Sequence, residues 1–369
     1  MSAETFLIHS VSVFSDGVIK QDQWVLISDK VLALGQGSSW KEHADSANVL
    51  DGTGKIISPK LVDTHIHGGG GFAADESPKG MSGTIEFHQQ YGVGRTFLSL
   101  ISAPVPALIE QIGWAHEINT QHPSFLGLHL EGPFIAHSHK GAHDPSVLRA
   151  PEDQDLLDIL AASKGIVRSI TVAPELIRPE QVKLLNEAGI EVCLGHTGAD
   201  YSVTKEFFAN GSKIMTHAFN GMKGIHHRDP GPIPAALENS RVFTELIADG
   251  AHVEPAAARL LDPERVILIT DAMSATGLQD GDYQLGSMAV KVTNSIARTE
   301  SGSLAGSTLT LDVAVKNFSH WTGSKELALR AAITNPERAY GLESQGIKVG
   351  AKDLLLWAPD MSIERNLAQ

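Results

Sequence analysis

"IISPKLVDTHIHGGGG" (residues 56–71) is where the chain changes texture, and its reading decides the fold. Before it, residues 5 to 55 run as short β-rich stretches, "TFLIHSVSVF", "QWVLIS", "VLALG" and "NVLDGTG", separated by "SDG", "DK" and similar Asp/Gly/Ser turns. Those are hairpin signals. After it, short apolar runs recur between helix-spaced segments: "RTFLSLI", "FLGLHLEG", "IVRSITVAPE", "IEVCLGHT", "KIMTHAF", "VFTELIADG" and "RVILITDA". Intervening segments such as "PEQVKLLNEAG" and "TKEFFANG" carry helical spacing and end on Gly or Asn-Gly. With the opening run, that makes about eight β-then-α units, which predicts an α/β protein built on a (β/α)8 TIM-like barrel over residues 56–344.

Beyond the eighth run the pattern breaks. "DYQLGSMAVKVTNSIARTESGSLAGS" reads as a hairpin excursion ahead of the helix "TLTLDVAVKNFSHW". The tail, "GIKVGAKDLLLWAPD", returns to strand character. It is expected to pair with the opening strands, giving a small β-sandwich domain from residues 1–55 plus 345–369.

The 29 Lys and Arg against 43 Asp and Glu leave a net charge of −14. An acidic surface argues against nucleic acid or an anionic membrane as partner, and an anionic substrate would need a local basic pocket. Cys193 is the single cysteine, so no intrachain disulfide can form, which fits a reducing compartment. The opening "MSAETFLIHSVSVFSDG" has no basic start or sustained apolar run, and no stretch approaches the roughly 20 apolar residues of a membrane span. A soluble, cytoplasmic protein is expected.

The chemistry is signalled by where polar residues fall. His65 and His67, Glu131, His196, His217 and Asp271 all close an apolar strand run, on the first, third, fifth, sixth and eighth strands. Barrel active sites form at the C-terminal strand ends. Residues i and i+2 of a strand point to one side, so His65 and His67 can reach one ion, and the glycines behind them permit a sharp turn. An H-x-H pair alone is weak evidence, since a satisfied strand-end pair looks the same; several imidazoles with two carboxylates on one rim suit a metal. His129 points with Glu131 and is a candidate outer support. His137 and His139 repeat the H-x-H spacing within a loop, and His226 and His227 are also loop residues. Cys193 reads as a buried, inert thiol.

Seven stretches then occur in order: "LHLEGPF" (128–134), "KGAHDP" (140–145), "LGHTGAD" (194–200), "THAFNGM" (216–222), "IADGAHV" (247–253), "ITDAM" (269–273) and "LAGS" (304–307). Together they resemble the N-acetylglucosamine-6-phosphate deacetylase family of the amidohydrolase superfamily, over nearly the whole chain. The resemblance implies Glu131, His196 and His217 as ligands of the main metal and Asp271 as catalytic acid/base. His143 would lie by the sugar and scissile acetamide, helping to stabilise the oxyanion. Asn220 and Gly221 would offer donors to the sugar phosphate, with Arg228 and His252 also binding substrate. It implies a homodimer with Arg228 and His252 acting across the interface, and a phosphorylated N-acetyl amino sugar as partner. Family members with H-x-H can bind two ions with the glutamate bridging. For this chain the resemblance implies one or two divalent ions (Zn, Fe or Mn) as cofactor, the second to be held by His65, His67 and Glu131 with Asp271 beside it. Competing readings are a deacetylase of the galactosamine isomer, a cyclic imide hydrolase, or a barrel that binds sugar phosphate or metal without catalysis.

Overall fold

The computed structural model describes residues 4–368. The chain opens with β1 (Phe6–Ser15), β2 (Val18–Ile27) and β3 (Val31–Gln36) in an antiparallel meander, followed by β4 (Asn48–Asp51) and β5 (Ile56–Pro59). One edge of β1 pairs in parallel with β4 at Phe6–His9 and then with β5 at Ser12–Val13. Between the two contacts Ser10 adopts a left-handed φ of +54°, which bends the strand and splits its edge between two neighbours. From the far end of the chain, β19 (Leu354–Trp357) and β20 (Ile363–Leu367) complete a seven-stranded sheet, with β19 antiparallel to β5.

The opening apolar run is therefore two strands rather than one. β5 belongs to the sheet from the chain ends, whereas β6 (Leu61–Asp63) starts the barrel by pairing with β9. Ile57 packs in the sheet's own core and Leu61 in the barrel's. Lys60 stands between them, its Nζ 3.2 Å from Asp353. Ser58, Pro59 and Lys60 interrupt the apolar run, but the residue types on either side do not reveal that its two halves face different cores.

After β6 come a short ladder, β7 (Gly68–Gly69) with β8 (Phe72–Ala73), and helix α1 (Pro78–Gln89). Ser77 caps α1 by accepting from Gly80 N, with Pro at the first helical position. The alternation continues through β9 (Val93–Ile101), α2 (Val105–Asn119), β10 (Phe125–Glu131), α3 (Asp153–Ser163), β11 (Val167–Val172) and α4 (Pro179–Glu187). It ends with β12 (Glu191–Leu194), α5 (Tyr201–Ala209), β13 (Ile214–Met215), α6 (Pro232–Glu238), β14 (Phe243–Ile247), α7 (Pro255–Ala258) and β15 (Val266–Ile269). All eight barrel strands are parallel and neighbour each other in chain order. They are buried on both faces, as the unbroken apolar runs require. β15 and β6 meet just past their ends: Ile66 and Ala272 form a parallel bridge, and Asp271 N donates to His65 O at 2.9 Å. Asp63 reinforces this seam by accepting from the backbone N of both His65 and Thr270.

The excursion after β15 is a three-stranded meander, one strand more than a hairpin: β16 (Gly281–Leu285), β17 (Met288–Thr293) and β18 (Ile296–Thr299). Asn294 and Ser295, both at positive φ, form its second turn in the geometry that suits tight hairpins. Leu285, Val290, Val292 and Ala297 pack against Ile101, Ala142, Met273 and Ala275, so the meander roofs part of the rim. The chain then enters α8 (Leu311–Thr322). Among the described residues, no helix is long and apolar enough to cross a membrane.

Candidate active site

Glu131 ends β10 and is the hub of the rim. Its Oε1 lies 2.9 Å from His217 Nε2 and 3.1 Å from His196 Nε2. Its Oε2 lies 3.1 Å from His67 Nε2, 3.4 Å from His143 Nε2 and 3.7 Å from His65 Nε2. Asp271 Oδ1 stands 3.4 Å from His67 Nε2 and 3.6 Å from His65 Nε2. All seven side chains are buried. The strand-end residues His196, His217 and Asp271 each take a positive φ, of +45°, +27° and +49°. For a non-glycine residue this costs of order 1–3 kcal/mol, so the surrounding structure holds them there, aimed across the rim.

The ionisation of the cluster follows from this crowding. Burial opposes charge on Glu131, but His143, His65 and His196 around it hold its carboxyl well below the usual range. Asp271 is likewise held low, against burial, by His67 and His65. Against burial, Glu131, Glu245 and Asp271 carry His65 well above its ordinary value, and Asp271 and Glu131 raise His67 to about 9. Burial wins at His143, which is pushed down to about 4. His129 is neutral for the same reason, with His65 adding to the effect. It lies under His65 with ring centroids 4.7 Å apart, held by Ser169 and Thr171 hydroxyls.

The donor set suits a divalent cation. The ligand atoms of His65, His67 and Asp271 lie within 4.8 Å of one another, as do those of Glu131, His143 and His196. No lysine or arginine lines the cavity among the described residues, so the carboxylates have only imidazoles for compensation. Buried anions without a fixed cation are costly, and nitrogen-plus-carboxylate donors are what borderline metals take. His196 has its other nitrogen fixed, Nδ1 donating to His139 O at 2.8 Å. The loop "HSH" thus contributes a backbone carbonyl rather than its imidazoles.

Hydrogen bonding also assigns the form of His143. Ser102 Oγ donates to Glu131 O at 2.9 Å, so His143 Nδ1–H donates to Ser102 Oγ at 2.7 Å. Neutral His143 then presents an unprotonated Nε2 to the cavity. That nitrogen accepts; it becomes a donor for an oxyanion only after taking up a proton.

The cavity has a volume of about 290 Å³. His67, Glu131, His143, His196, His217 and Asp271 form its floor, with Asn220, Gly221 and His252 also lining it. A side chain at Gly221 would press into the His196 ring, at 2.8 Å from Nδ1 to an added Cβ, and its φ of +59° suits glycine. Asp249 orients His252 by a 2.7 Å contact to Nδ1. Arg228 is not brought to the cavity. It lies exposed on its loop, with Nη1 2.8 Å from His227 Nε2. Cys193 is buried, and burial pushes its thiol well up.

Sequence reasoning missed Ser102, Asp249 and Glu245. Glu245 had a legible signal, a charged residue inside the apolar run "FTELI", while Ser102 was recognisable only through its contacts. It also missed Leu285 and Ser303, which reach the cavity from the roofing segment.

A parallel eight-stranded barrel that gathers imidazoles and carboxylates at its C-terminal rim, beside a sheet from both chain ends, defines a hydrolase of the amidohydrolase type. No protein-family model matches the chain. It is 36% identical over 321 residues to the N-acetylglucosamine-6-phosphate deacetylase of Vibrio furnissii, covering 84% of this chain and 80% of that one. It is 34% identical over 335 residues to the N-acetylgalactosamine-6-phosphate deacetylase of Escherichia coli O157:H7, covering 88% of each. A solved mutant of the Mycobacterium smegmatis N-acetyl-D-glucosamine-6-phosphate deacetylase, in complex with N-acetyl-D-glucosamine-6-phosphate, superimposes with a TM-score of 0.90 at 32% identity, covering 100% of this chain and 98% of that one. The chain belongs to the N-acetylglucosamine-6-phosphate deacetylase family.

Proposed function

We propose that the protein hydrolyses the acetamide of N-acetylglucosamine 6-phosphate to acetate and glucosamine 6-phosphate, in amino-sugar catabolism and cell-wall sugar recycling in the cytoplasm. The observation that carries this reading is the convergence of Glu131, His196, His217 and Asp271 on a cavity of sugar-phosphate size, in a chain of this family. Glu131, His196 and His217 would hold the main metal ion, and His65 and His67 with Glu131 would hold a second; the ion would be Zn, Fe or Mn. A divalent ion there supplies a Lewis acid for the amide carbonyl and lowers the pKa of a bound water towards about 7.

The chain's residues do the rest. Asp271 takes a proton from the attacking water and returns it to the nitrogen as the C–N bond breaks, so acetate and amine leave with one water consumed. His143, unprotonated at Nε2, accepts from the water or the amide N–H and holds the acetamide against Asp271. Asn220, Gly221 and His252 orient the sugar, and the remote phosphate converts binding into alignment of the acetamide.

Arg228 is the phosphate-binding arginine in this reading. Its exposure within one chain fits a homodimer in which Arg228 and His252 act across the interface. The barrel and the strands from the chain ends act as separate domains; the division expected at 1–55 plus 345–369 and 56–344 shifts by one strand, because β5 (Ile56–Pro59) belongs to the sheet from the chain ends and the barrel begins at β6.

The test is acetate release from N-acetylglucosamine 6-phosphate, its galactosamine epimer and unphosphorylated N-acetylglucosamine. The expected order has the glucosamine phosphate first. Faster turnover of the galacto compound would move the assignment to the epimer named for the Escherichia coli relative, and no acetate from any of them would remove the deacetylase reading.

A further inference from the structure

The seventh barrel strand carries a glutamate that this mechanism does not use. Glu245 lies within β14 and is 1% exposed. Its Oε1 accepts from Thr64 Oγ1 at 3.1 Å and from Tyr340 Oη at 3.3 Å. Its Oε2 has no hydrogen-bond partner. The facing atom is His65 Nδ1 at 3.6 Å, also without a hydrogen-bond partner. Thr64 precedes His65 in the chain, so one strand end anchors the carboxyl and presents the ring to it. Buried donors and acceptors are rarely left unmatched, and here two complementary ones face each other.

The opposite ring nitrogen, His65 Nε2, faces the rim: it is 3.2 Å from His67 Nε2 and 3.6 Å from Asp271 Oδ1. A neutral imidazole carries one proton. With that proton on Nδ1, directed at Glu245, the lone pair sits on Nε2, the form required of a metal ligand. His196 has the same arrangement through a backbone carbonyl. His65 has a carboxylate instead, which also makes the ring a better donor.

We propose that Glu245 is a positioning residue that fixes His65 with Nδ1–H towards the barrel interior and Nε2 towards the rim, and so enables the His65–His67 side of the centre to hold a second divalent ion. The inference rests on the two-ion reading above and names the residue that makes that second site competent.

The experiment strips the full-length protein of metal and titrates it with Zn2+ by calorimetry, with elemental analysis of ions per chain. The variants are Glu245→Leu, Glu245→Gln and Tyr340→Phe. Co2+ absorption reports the ligand field of each site independently of turnover. Wild type is expected to take two ions. Glu245→Leu should keep the first at unchanged affinity and lose about 10- to 100-fold at the second. Glu245→Gln, whose amide oxygen still accepts from Nδ1–H, should recover most of that loss. Tyr340→Phe, which removes one of the two donors on Oε1, gives a smaller loss and keeps the test decisive if the leucine variant does not fold. Wild type taking one ion refutes the two-ion reading. Wild type taking two ions, with the second bound equally tightly in the Glu245 variants, refutes the positioning role while leaving that reading intact.

Discussion

Asp271→Asn separates proton transfer from metal binding. Asp271 occupies a left-handed backbone conformation with φ +49°, where most residues pay about 1–2 kcal/mol but Asn and Asp are tolerated. Asparagine therefore leaves the backbone where it is, including the Asp271 N to His65 O bond at the barrel seam and the Ser307 N to Asp271 O bond to the segment after the meander. The amide keeps the volume and one acceptor oxygen but cannot take a proton from water. Glu131 remains with His196 and His217 at 3.1 and 2.9 Å, so the proposed main metal site is untouched. A positioned acid/base contributes typically 10²- to 10⁴-fold. At 1.36 kcal/mol per decade, kcat should fall by about 3–5 kcal/mol in barrier terms, with KM changing less than about threefold. Saturating acetate-release assays, paired with elemental analysis of the same preparation, read both quantities. A kcat within tenfold of wild type at full metal content would refute the proton-transfer role. Metal content falling in step with kcat would make Asp271 chiefly a ligand.

Ser102→Ala removes the acceptor that fixes His143 Nδ1–H and the donor to Glu131 O; kcat should drop about tenfold and stability should fall by about 1–3 kcal/mol for the two buried hydrogen bonds lost. An unchanged kcat would show that the tautomer does not matter. Arg228→Ala should raise KM for the phosphorylated sugar at least tenfold and leave the unphosphorylated sugar unaffected; equal effects on both would remove the phosphate role. Arg95 and Glu337 form a buried pair, with Arg95 also donating to Glu343 O at 3.0 Å and Glu337 accepting from Gln345 N at 3.1 Å. Arg95→Met strands the carboxylate and should cost about 3–5 kcal/mol in denaturant unfolding; a loss below 1 kcal/mol would show that water reaches it. In the metal-free protein His67 is raised from 6.5 to about 9, so its contribution to stability is full below 6.5 and is lost as pH rises through 9. A bound ion must displace that proton, so apparent metal affinity should rise about tenfold per pH unit across the same window for each proton released. Calorimetry in buffers of different ionisation enthalpy counts the protons, and a pH-independent affinity would refute the assignment.

How much of this was legible in one dimension follows from two kinds of pattern. The alternation of apolar runs with helix-spaced segments and Gly or Asn stops determined the barrel, because strand and helix bury their faces at different periods. The strand-end positions of His65, His67, Glu131, His196, His217 and Asp271 determined the rim, since parallel strands all present their C-terminal ends to one side. Other features needed the third dimension. The sequence could not divide residues 56–63 between two sheets, because Ile57 and Leu61 are equally apolar and only packing assigns them to different cores. It could not find Ser102 or Glu245, whose importance lies in distances to His143 and His65 across 41 and 180 residues of chain. Nor could it say which nitrogen of His143 faces the cavity, since a tautomer is set by the partners that folding supplies. Residue types and their spacing along strands are local properties of the chain, so the sequence by itself determined the class of fold and most of the rim. Hydrogen-bond direction and the sharing of cores arise between segments far apart in the chain, so only the tertiary structure decided them.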